Sequence, residues 1–339
     1  MKTLPYQALV RNQGRVYDAG MDVVSLGEII LDMFGSETGK DFFTVSAFIP
    51  VAGGAPANVA VAAARLGAMS AFIGKAGEDA FGRRLERVLI GYGVDTRGMR
   101  FDKKYRTTLN FMTLPDANRT EMLFYRNPGA DMLLEPAELD NELIAETAIF
   151  HFGSVSLAAE PCRSAALEGA RLARKVGATV SFDVNYRPGL WDNELRAKKE
   201  IVAALRLTDI VKVNEAELLL LSGTEEPEAG CRMIAQRGPK LCVATLGPRG
   251  SAWGARAGSG MVSGFTVETV DATGCGDAFM AALLIRILPD RAGLEKLHGD
   301  ILGRNLRWAN AAGALTARKK GVMDALPSSQ EVDELVARG

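Results

Sequence analysis

The stretch Asp271-Ala272-Thr273-Gly274-Cys275-Gly276-Asp277 comes directly before an almost wholly apolar run, residues 278–288, that ends at Pro289. The run has the length and composition of a buried helix. Two glycines at the mouth of a helix let the backbone approach a ligand closely and aim N–H groups at it. A helix N-terminus adds about half a positive charge, which suits an anion such as a phosphate. Asp277, in the first turn, could accept the proton of an attacking hydroxyl beside that anion.

Other phosphate-binding signatures do not fit this chain. A G-x-x-x-x-G-K-[ST] loop is absent, because Gly74-Lys75 is followed by Ala76. Gly274 and Gly276 lack a third glycine three residues on and come late in the chain, which argues against a dinucleotide fingerprint and an NAD-dependent dehydrogenase. The loop motifs of protein kinases are absent as well. A lone G-x-G-D is often only a glycine-rich turn with an acidic helix cap, so the stretch needs support from elsewhere.

The second half of the chain alternates between strand-like and helical segments. Continuous apolar runs of strand length are typical of strands covered on both faces, as in a parallel sheet. Helical stretches such as 164–176 and 195–206 lie between them. We therefore expect an α/β fold with a doubly wound, mostly parallel sheet. The predicted strands are 148–152, 179–182, 210–213 and 241–244.

A smaller β-rich segment interrupts the first half. Residues 107–113 and 122–125 flank the turn-like Pro115-Asp116-Ala117-Asn118, which predicts a hairpin. With residues 41–50 it would form a small β-sheet lid, drawn from about 32–50 and 100–127. The first 20 residues are interpreted as an N-terminal extension, and residues 21–339 as the main domain.

Composition and charge exclude several classes of function. The 339 residues carry 40 basic and 41 acidic side chains, so nothing attracts nucleic acid or an anionic membrane in general. No run of about 18 apolar residues and no apolar signal core is present, so we expect a cytoplasmic protein. With only two histidines and no C-x-x-C pair, a zinc site is not expected. The four cysteines, read as free thiols, are Cys162, Cys231, Cys242 and Cys275.

A second motif supports the first. Gly53-Gly54-Ala55-Pro56-Ala57-Asn58 opens an early predicted helix, and Asn58 offers a donor and an acceptor to a sugar hydroxyl. The two stretches resemble the N-terminal and C-terminal signatures of the ribokinase-like, or PfkB, carbohydrate kinases, over roughly 22–327. The resemblance implies a ribokinase-like fold and ATP-dependent phosphorylation of a sugar hydroxyl. It makes Asp277 the catalytic base and the backbone of Gly274, Cys275 and Gly276 the anion hole, with cysteine where alanine is usual.

The same resemblance assigns the remaining site residues. Asp32, Gly53, Gly54, Asn58 and Arg126 would bind the sugar. The residues assigned to ATP are Asn185, Asn214, Thr245, Gly247, Gly250 and Asn310. Glu217 of the N-x-x-E element would hold Mg²⁺ through water, and Asp271 with the segment 316–325 could supply a K⁺ site.

The segment from Phe124 to Asp131, Phe-Tyr-Arg-Asn-Pro-Gly-Ala-Asp, bears most on the substrate. It resembles the fructokinase branch, which favours phosphorylation of fructose to fructose 6-phosphate. The same arginine position serves acid-sugar kinases such as 2-keto-3-deoxygluconate kinase, where it could pair with a carboxylate. The segment 183–188, followed by Leu190-Trp191, is similar to that second group.

Further alternatives are another sugar or nucleoside kinase of the family, and a catalytically silent nucleotide-binding regulator. The expected partners are a small sugar and ATP, with no nucleic acid and no membrane. An exposed lid sheet has edges that invite pairing, which suggests a homodimer through the lid.

Overall fold

A computed structural model describes residues 20–116, 119–297 and 299–338. Its larger sheet has nine strands in the order β13-β12-β11-β10-β9-β8-β1-β4-β5. Neighbouring strands are parallel from β11 to β5, and β12 and β13 continue the sheet antiparallel. These strands are β1 (Met21–Leu26), β4 (Ser70–Gly77), β5 (Asp95–Asp102), β8 (Thr147–Gly153), β9 (Thr179–Asp183), β10 (Ile210–Asn214), β11 (Leu241–Thr245), β12 (Ser251–Ala255) and β13 (Gly258–Val262).

Helices cover both faces of this sheet, as the continuous apolar strands require. On one face α1, α8, α9 and α10 pack over side chains such as Val23, and on the other α3 to α7 pack over side chains such as Val24. The doubly wound α/β prediction is confirmed. The helices are α1 (Ala55–Arg65), α2 (Ala80–Gly91), α3 (Asn141–Ala145), α4 (Cys162–Lys175), α5 (Glu194–Leu205), α6 (Glu215–Ser222), α7 (Pro227–Ala235), α8 (Cys275–Ile287), α9 (Gly299–Ala317) and α10 (Ser329–Arg338). Within the described ranges, none of them is long and apolar enough to cross a membrane.

A second sheet of four strands has the order β3-β2-β6-β7. Its strands are β2 (Ile30–Gly35), β3 (Phe48–Gly53), β6 (Leu109–Asp116) and β7 (Arg119–Tyr125). β6 and β7 form the expected antiparallel hairpin, although Ala117 and Asn118 of the predicted turn lie outside the described residues. The lid was predicted to include residues from about 100. Residues 100–102 belong to β5 of the large sheet, because they pair with Lys75, Ala76 and Gly77 of β4.

The two sheets are joined where the functional site is expected. β1 ends at Leu26, and the three residues Gly27-Glu28-Ile29 lead directly into β2 of the small sheet. Ligand sites in open α/β sheets lie outside the carboxyl ends of the strands. The connection therefore brings the small sheet to the ligand-binding edge of the large one. The predicted extension, residues 1–20, lies outside the described residues except for Gly20, and the domain bounds stay a prediction.

Candidate active site

The start of α8 is built around two glycines. Gly274 precedes the helix with φ 80°, a left-handed conformation that glycine adopts without the cost of a Cβ. A Cβ on Gly276 would lie 3.0 Å from the ammonium nitrogen of Lys212, so a positive charge sits directly against this turn. The free N–H groups of a first helical turn and a neighbouring ammonium together favour an anion.

Asp277 lies in this first turn and is 8 % exposed. Asn58, from the first turn of α1, donates a hydrogen bond from Nδ2 to Oδ2 of Asp277 at 2.8 Å. Burial, and then the charge of Asp183, raise the pKa of Asp277 to about 6. Asp277 is therefore an anion at neutral pH and a stronger base than an exposed aspartate.

Lys212 and Asp183 form a buried ion pair across neighbouring strands. Nζ of Lys212 lies 2.6 Å from Oδ2 of Asp183, and the two residues are register partners in β10 and β9. Burial alone would lower the Lys212 pKa, but the charges of Asp183 and Glu217 outweigh it and raise that pKa. The lysine is therefore a cation. Sequence reasoning missed it, although a lysine inside an otherwise apolar strand was a usable signal.

Four of the predicted sugar-binding residues lie around the start of α1, whose Asn58 contacts Asp277. Asp32 in β2 accepts a hydrogen bond from Nδ2 of Asn110 at 2.8 Å, and burial raises its pKa to about 6. A Cβ on Gly53 would lie 1.9 Å from Oδ2 of Asp32, so only glycine fits beside that carboxylate. A Cβ on Gly54, which has φ 105°, would lie 2.4 Å from the carbonyl oxygen of Glu28. Oδ1 of Asn58 is buried and has no hydrogen-bond partner among the described residues.

Arg126 follows β7 and its side chain is only 6 % exposed. Its Nη2 and Nε lie 2.6 and 2.8 Å from Oδ2 of Asp131. Burial raises the pKa of Glu28 to about 7, and the positive charge of Arg126 lowers it by a smaller amount. Glu28 was not singled out from the sequence, because a glutamate after a strand is usually a surface residue.

Arg187 is a second cation that the sequence did not single out. It follows β9 in an exposed position, and its charge lowers the pKa values of both Asp32 and Asp277, against the larger effect of burial. The charge of Arg187 thus acts on both carboxylates. Its segment, 183–188, had been noted only for Asn185.

The residues assigned to a metal have other partners already. Glu217 accepts N–H groups on both oxygens, from Tyr186 at 2.7 Å and from Asn214 at 2.8 Å, and burial raises its pKa. In the described ranges no group of three or more His, Cys, Asp or Glu side chains could hold a metal ion. Each oxygen of Glu217 can accept a second hydrogen bond, so the carboxylate fits a role through water on a Mg²⁺ held mainly by phosphate oxygens.

Asp271 is tied to the segment predicted to share its cation. Its Oδ1 accepts from N and Oγ1 of Thr273 at 2.9 and 2.7 Å, and its Oδ2 accepts from Gly321 N at 3.3 Å. The backbone N–H groups of Val270 and Asp271 both reach the carbonyl of Ala317. Asp271 and this segment are thus joined by hydrogen bonds in both directions.

The residues assigned to ATP follow neighbouring strands at the carboxyl edge. Asn214 and Thr245 are register partners at the ends of β10 and β11, and Asn185 follows β9 with φ 35°. Gly247 and Gly250 have φ 58° and 99° in the turn between β11 and β12. Asn310, in α9, donates to the carbonyls of Val262 and Ser263 at 3.2 Å, which places it at the end of the edge strand β13.

Comparison with known proteins shows which family this chain belongs to. The sequence profile described as pfkB family carbohydrate kinase matches residues 21–329. The chain belongs to the pfkB family of carbohydrate kinases. This pfkB kinase is 45 % identical over 315 residues to Fructokinase-1 of Oryza sativa subsp. japonica, covering 93 % of this chain and 97 % of that relative.

Solved structures resemble the pfkB kinase over nearly its whole length. A fructokinase from Xylella fastidiosa with bound ATP matches with a TM-score of 0.84 and 32 % identity, covering 94 % of this chain and 98 % of that one. A fructokinase from Vibrio cholerae O395, in a form with fructose, ADP and calcium ion bound, matches with a TM-score of 0.82 and 32 % identity, covering 94 % and 100 %. The ribokinase-like fold is thereby confirmed.

Proposed function

We propose that this kinase transfers the γ-phosphoryl group of ATP to D-fructose, giving fructose 6-phosphate. The observation that carries the proposal is the hydrogen bond from Asn58 to Asp277 at the glycine turn of α8. It joins a sugar-binding candidate, a base and an anion site within one cluster. The similarity to fructokinases, one of them solved with fructose and ADP, supports fructose as the acceptor.

On the acceptor side, Asp32 and Asn58 would orient the sugar. Asp32 retains acceptor capacity beside Gly53, and Oδ1 of Asn58 can accept a hydroxyl proton. Held in this way, the reacting hydroxyl would lie next to Asp277, which accepts its proton as the new O–P bond forms. Positioning of this kind supplies much of the rate enhancement in phosphoryl transfer.

On the donor side, the backbone N–H groups of Gly274, Cys275 and Gly276 would receive the transferring phosphoryl group. The ammonium of Lys212 adds a fixed positive charge at the same turn. Charges preorganised where negative charge develops are the main source of stabilisation for such a transition state. Bound Mg²⁺ would neutralise phosphate charge there, with Glu217 orienting one of its waters.

The nucleotide would lie along the carboxyl edge, against the turn that contains Gly247 and Gly250. Asn185, Asn214 and Thr245 would contact its phosphates and ribose, and Asn310 would border the adenine. Asp271 and the segment 316–325 would hold a monovalent cation such as K⁺ behind the anion hole. The four-stranded sheet would act as the lid over the sugar.

We also infer a homodimer formed through the outer face of this lid sheet. Leu123 and Tyr125 are 47 % and 64 % exposed on that face, next to the ring contact between Phe48 and Phe111. β7 is an edge strand, which another chain can extend or cover. A second copy would cover these apolar side chains.

The sugar specificity is tested by steady-state phosphate transfer from MgATP to fructose, 2-keto-3-deoxygluconate, ribose and inosine. We expect kcat/KM for fructose to exceed that for each other acceptor at least about tenfold, a difference of roughly 1.4 kcal/mol in transition-state binding. A preference for 2-keto-3-deoxygluconate would overturn the fructose assignment and leave the kinase assignment standing. No transfer to any acceptor would point to a silent regulator.

A further inference from the structure

Arg126 and Asp131 form the most enclosed ion pair at the acceptor site. Their side chains are 6 % and 1 % exposed, and two guanidinium nitrogens, Nε and Nη2, point at the same carboxylate oxygen. Asp131 receives a further short hydrogen bond on its other oxygen, from the hydroxyl of Thr108. Nη1 is the guanidinium nitrogen outside this pair, and it remains a donor for a ligand.

The loop between the two partners is shaped to keep them together. A Cβ on Gly129 would lie 1.8 Å from Oγ1 of Thr108 and 2.7 Å from Oδ1 of Asp131. Any larger residue at 129 would therefore push the carboxylate away from Arg126. The loop thus holds Asp131 against the arginine, and Gly129 packs directly on this carboxylate.

A second carboxylate, that of Glu28, interacts with Arg126. Glu28 is 7 % exposed, and its Oε1 accepts the N–H of Ala55 at 3.1 Å, whereas its Oε2 is buried with no partner in the described part of the chain. Its interaction with Arg126 is electrostatic. Because Ala55 directly follows Gly53 and Gly54, Glu28 links Arg126 to the part of the site that holds Asp32.

Both guanidinium groups near the acceptor site therefore have carboxylate neighbours. Arg126 is paired with Asp131 and interacts electrostatically with Glu28, and the charge of Arg187 acts on Asp32 and Asp277. In a partly desolvated site, a substrate carboxylate would therefore meet the charge of Asp131 beside the guanidinium, with little solvent screening.

We propose that Asp131, assisted by Glu28, cancels the charge of Arg126 and so makes the acceptor site select neutral sugars against sugar acids. Asp131 acts through the arginine and is a positioning residue. Arg126 then serves as a hydrogen-bond donor to hydroxyls, held at a fixed angle by the pair. An arginine without such a partner would instead offer a charge-assisted, bidentate site to a carboxylate. The inference rests on the proposed fructose kinase function.

Asp131→Asn removes the charge with little change of shape and frees the guanidinium. We expect the ratio of kcat/KM for fructose to that for 2-keto-3-deoxygluconate to fall by at least about tenfold, the scale on which a charge-assisted bond exceeds a neutral one. The inhibition constant of 2-keto-3-deoxygluconate against fructose should fall as well.

Thr108→Val is the matched control, because it removes a hydrogen bond to Asp131 and leaves every charge in place. Its substrate ratio should stay within about threefold of the parent ratio, on the scale of one neutral hydrogen bond. In the double variant Arg126→Ala with Asp131→Asn, kcat/KM for 2-keto-3-deoxygluconate should not rise, because no guanidinium remains to bind the carboxylate. A merely structural role of Asp131 would lower activity toward both sugars alike.

An Asp131→Asn variant that folds, as judged by its melting temperature, and keeps the parent ratio would contradict the proposal. So would a gain that survives in the double variant. If Asp131→Asn does not fold, Glu28→Gln decides: a shift toward the sugar acid supports the proposal, and an unchanged ratio overturns it. Failure of the fructose assignment itself would already be visible in the parent, as poor transfer to fructose.

Discussion

Lys212 carries a buried charge at the centre of three carboxylates, those of Asp183, Glu217 and Asp277. A buried ion pair is weak evidence for stability, because desolvation opposes the attraction. Here the ammonium also lies against Gly276, where the proposed anion hole forms. Its position therefore fits a role in charge stabilisation better than a role in holding the fold alone.

The variant Lys212→Met should lower kcat by about 10²–10³-fold, the loss typical of removing one preorganised stabiliser of transition-state charge. KM for fructose should change little, because the ammonium is paired with Asp183 and lies against Gly276 of the proposed anion hole. Steady-state kinetics at saturating MgATP measures both. The double variant with Asp183→Asn removes the charge left unpaired, so its stability should recover while kcat stays low. Recovery of kcat with stability would contradict the catalytic role.

The pH dependence follows from the raised pKa values of Asp277 and Asp32, both about 6 because of burial. A base must be ionised to accept a proton, so kcat/KM for fructose should rise with pH through about 6 and then level off. Two groups that titrate together make the acid limb steeper than one group would. Rates measured from pH 5 to 8 check this, and Asp32→Asn should reduce the slope. A flat profile down to pH 5 would argue against Asp277 as base.

Among the elements, α8 gains its anion site from the turn that begins it. Gly276 faces Lys212 Nζ, whereas Gly91 at the end of α2 has open space where its Cβ would lie. Gly276→Ala should lower kcat about tenfold or more by crowding the phosphoryl site, since small misplacements cost heavily there. Its melting temperature should stay close to that of the control Gly91→Ala, because the flexible lysine end can move. Equal activity of the two variants would mean that the turn does not bind the phosphoryl group.

The elements also show what the sequence could predict. The buried parallel strands and α8 were predicted because each is a continuous apolar run with clear ends. β5 was missed because Arg97, Arg100 and flanking aspartates interrupt its apolar pattern. Lys212 and Asp183 were missed because their pairing depends on the register of β10 against β9, which local sequence does not encode. Asp131 was part of the motif noted in the sequence, but its ion pair with Arg126 depends on the conformation of the loop between them.

At the scale of the whole molecule, the outer face of the lid sheet exposes the apolar side chains Leu123 and Tyr125. If it forms the proposed homodimer, sedimentation should give twice the 36.3 kDa chain mass. Leu123→Glu would bury a charge in that interface without a partner and should yield the monomer. The exposed Leu195→Glu in α5 is the matched control and should stay dimeric. A monomeric parent would contradict the dimer.

The central claim is that Asp277 is the base that activates the sugar hydroxyl in a fructose kinase. Its most direct test compares kcat for fructose in the parent and in Asp277→Asn, which has nearly the same shape and can keep the contact with Asn58. We predict a fall of about 10²–10⁴-fold, the contribution usual for a general base, with an unchanged melting temperature. A folded Asp277→Asn variant that retains half of the parent kcat would contradict the account.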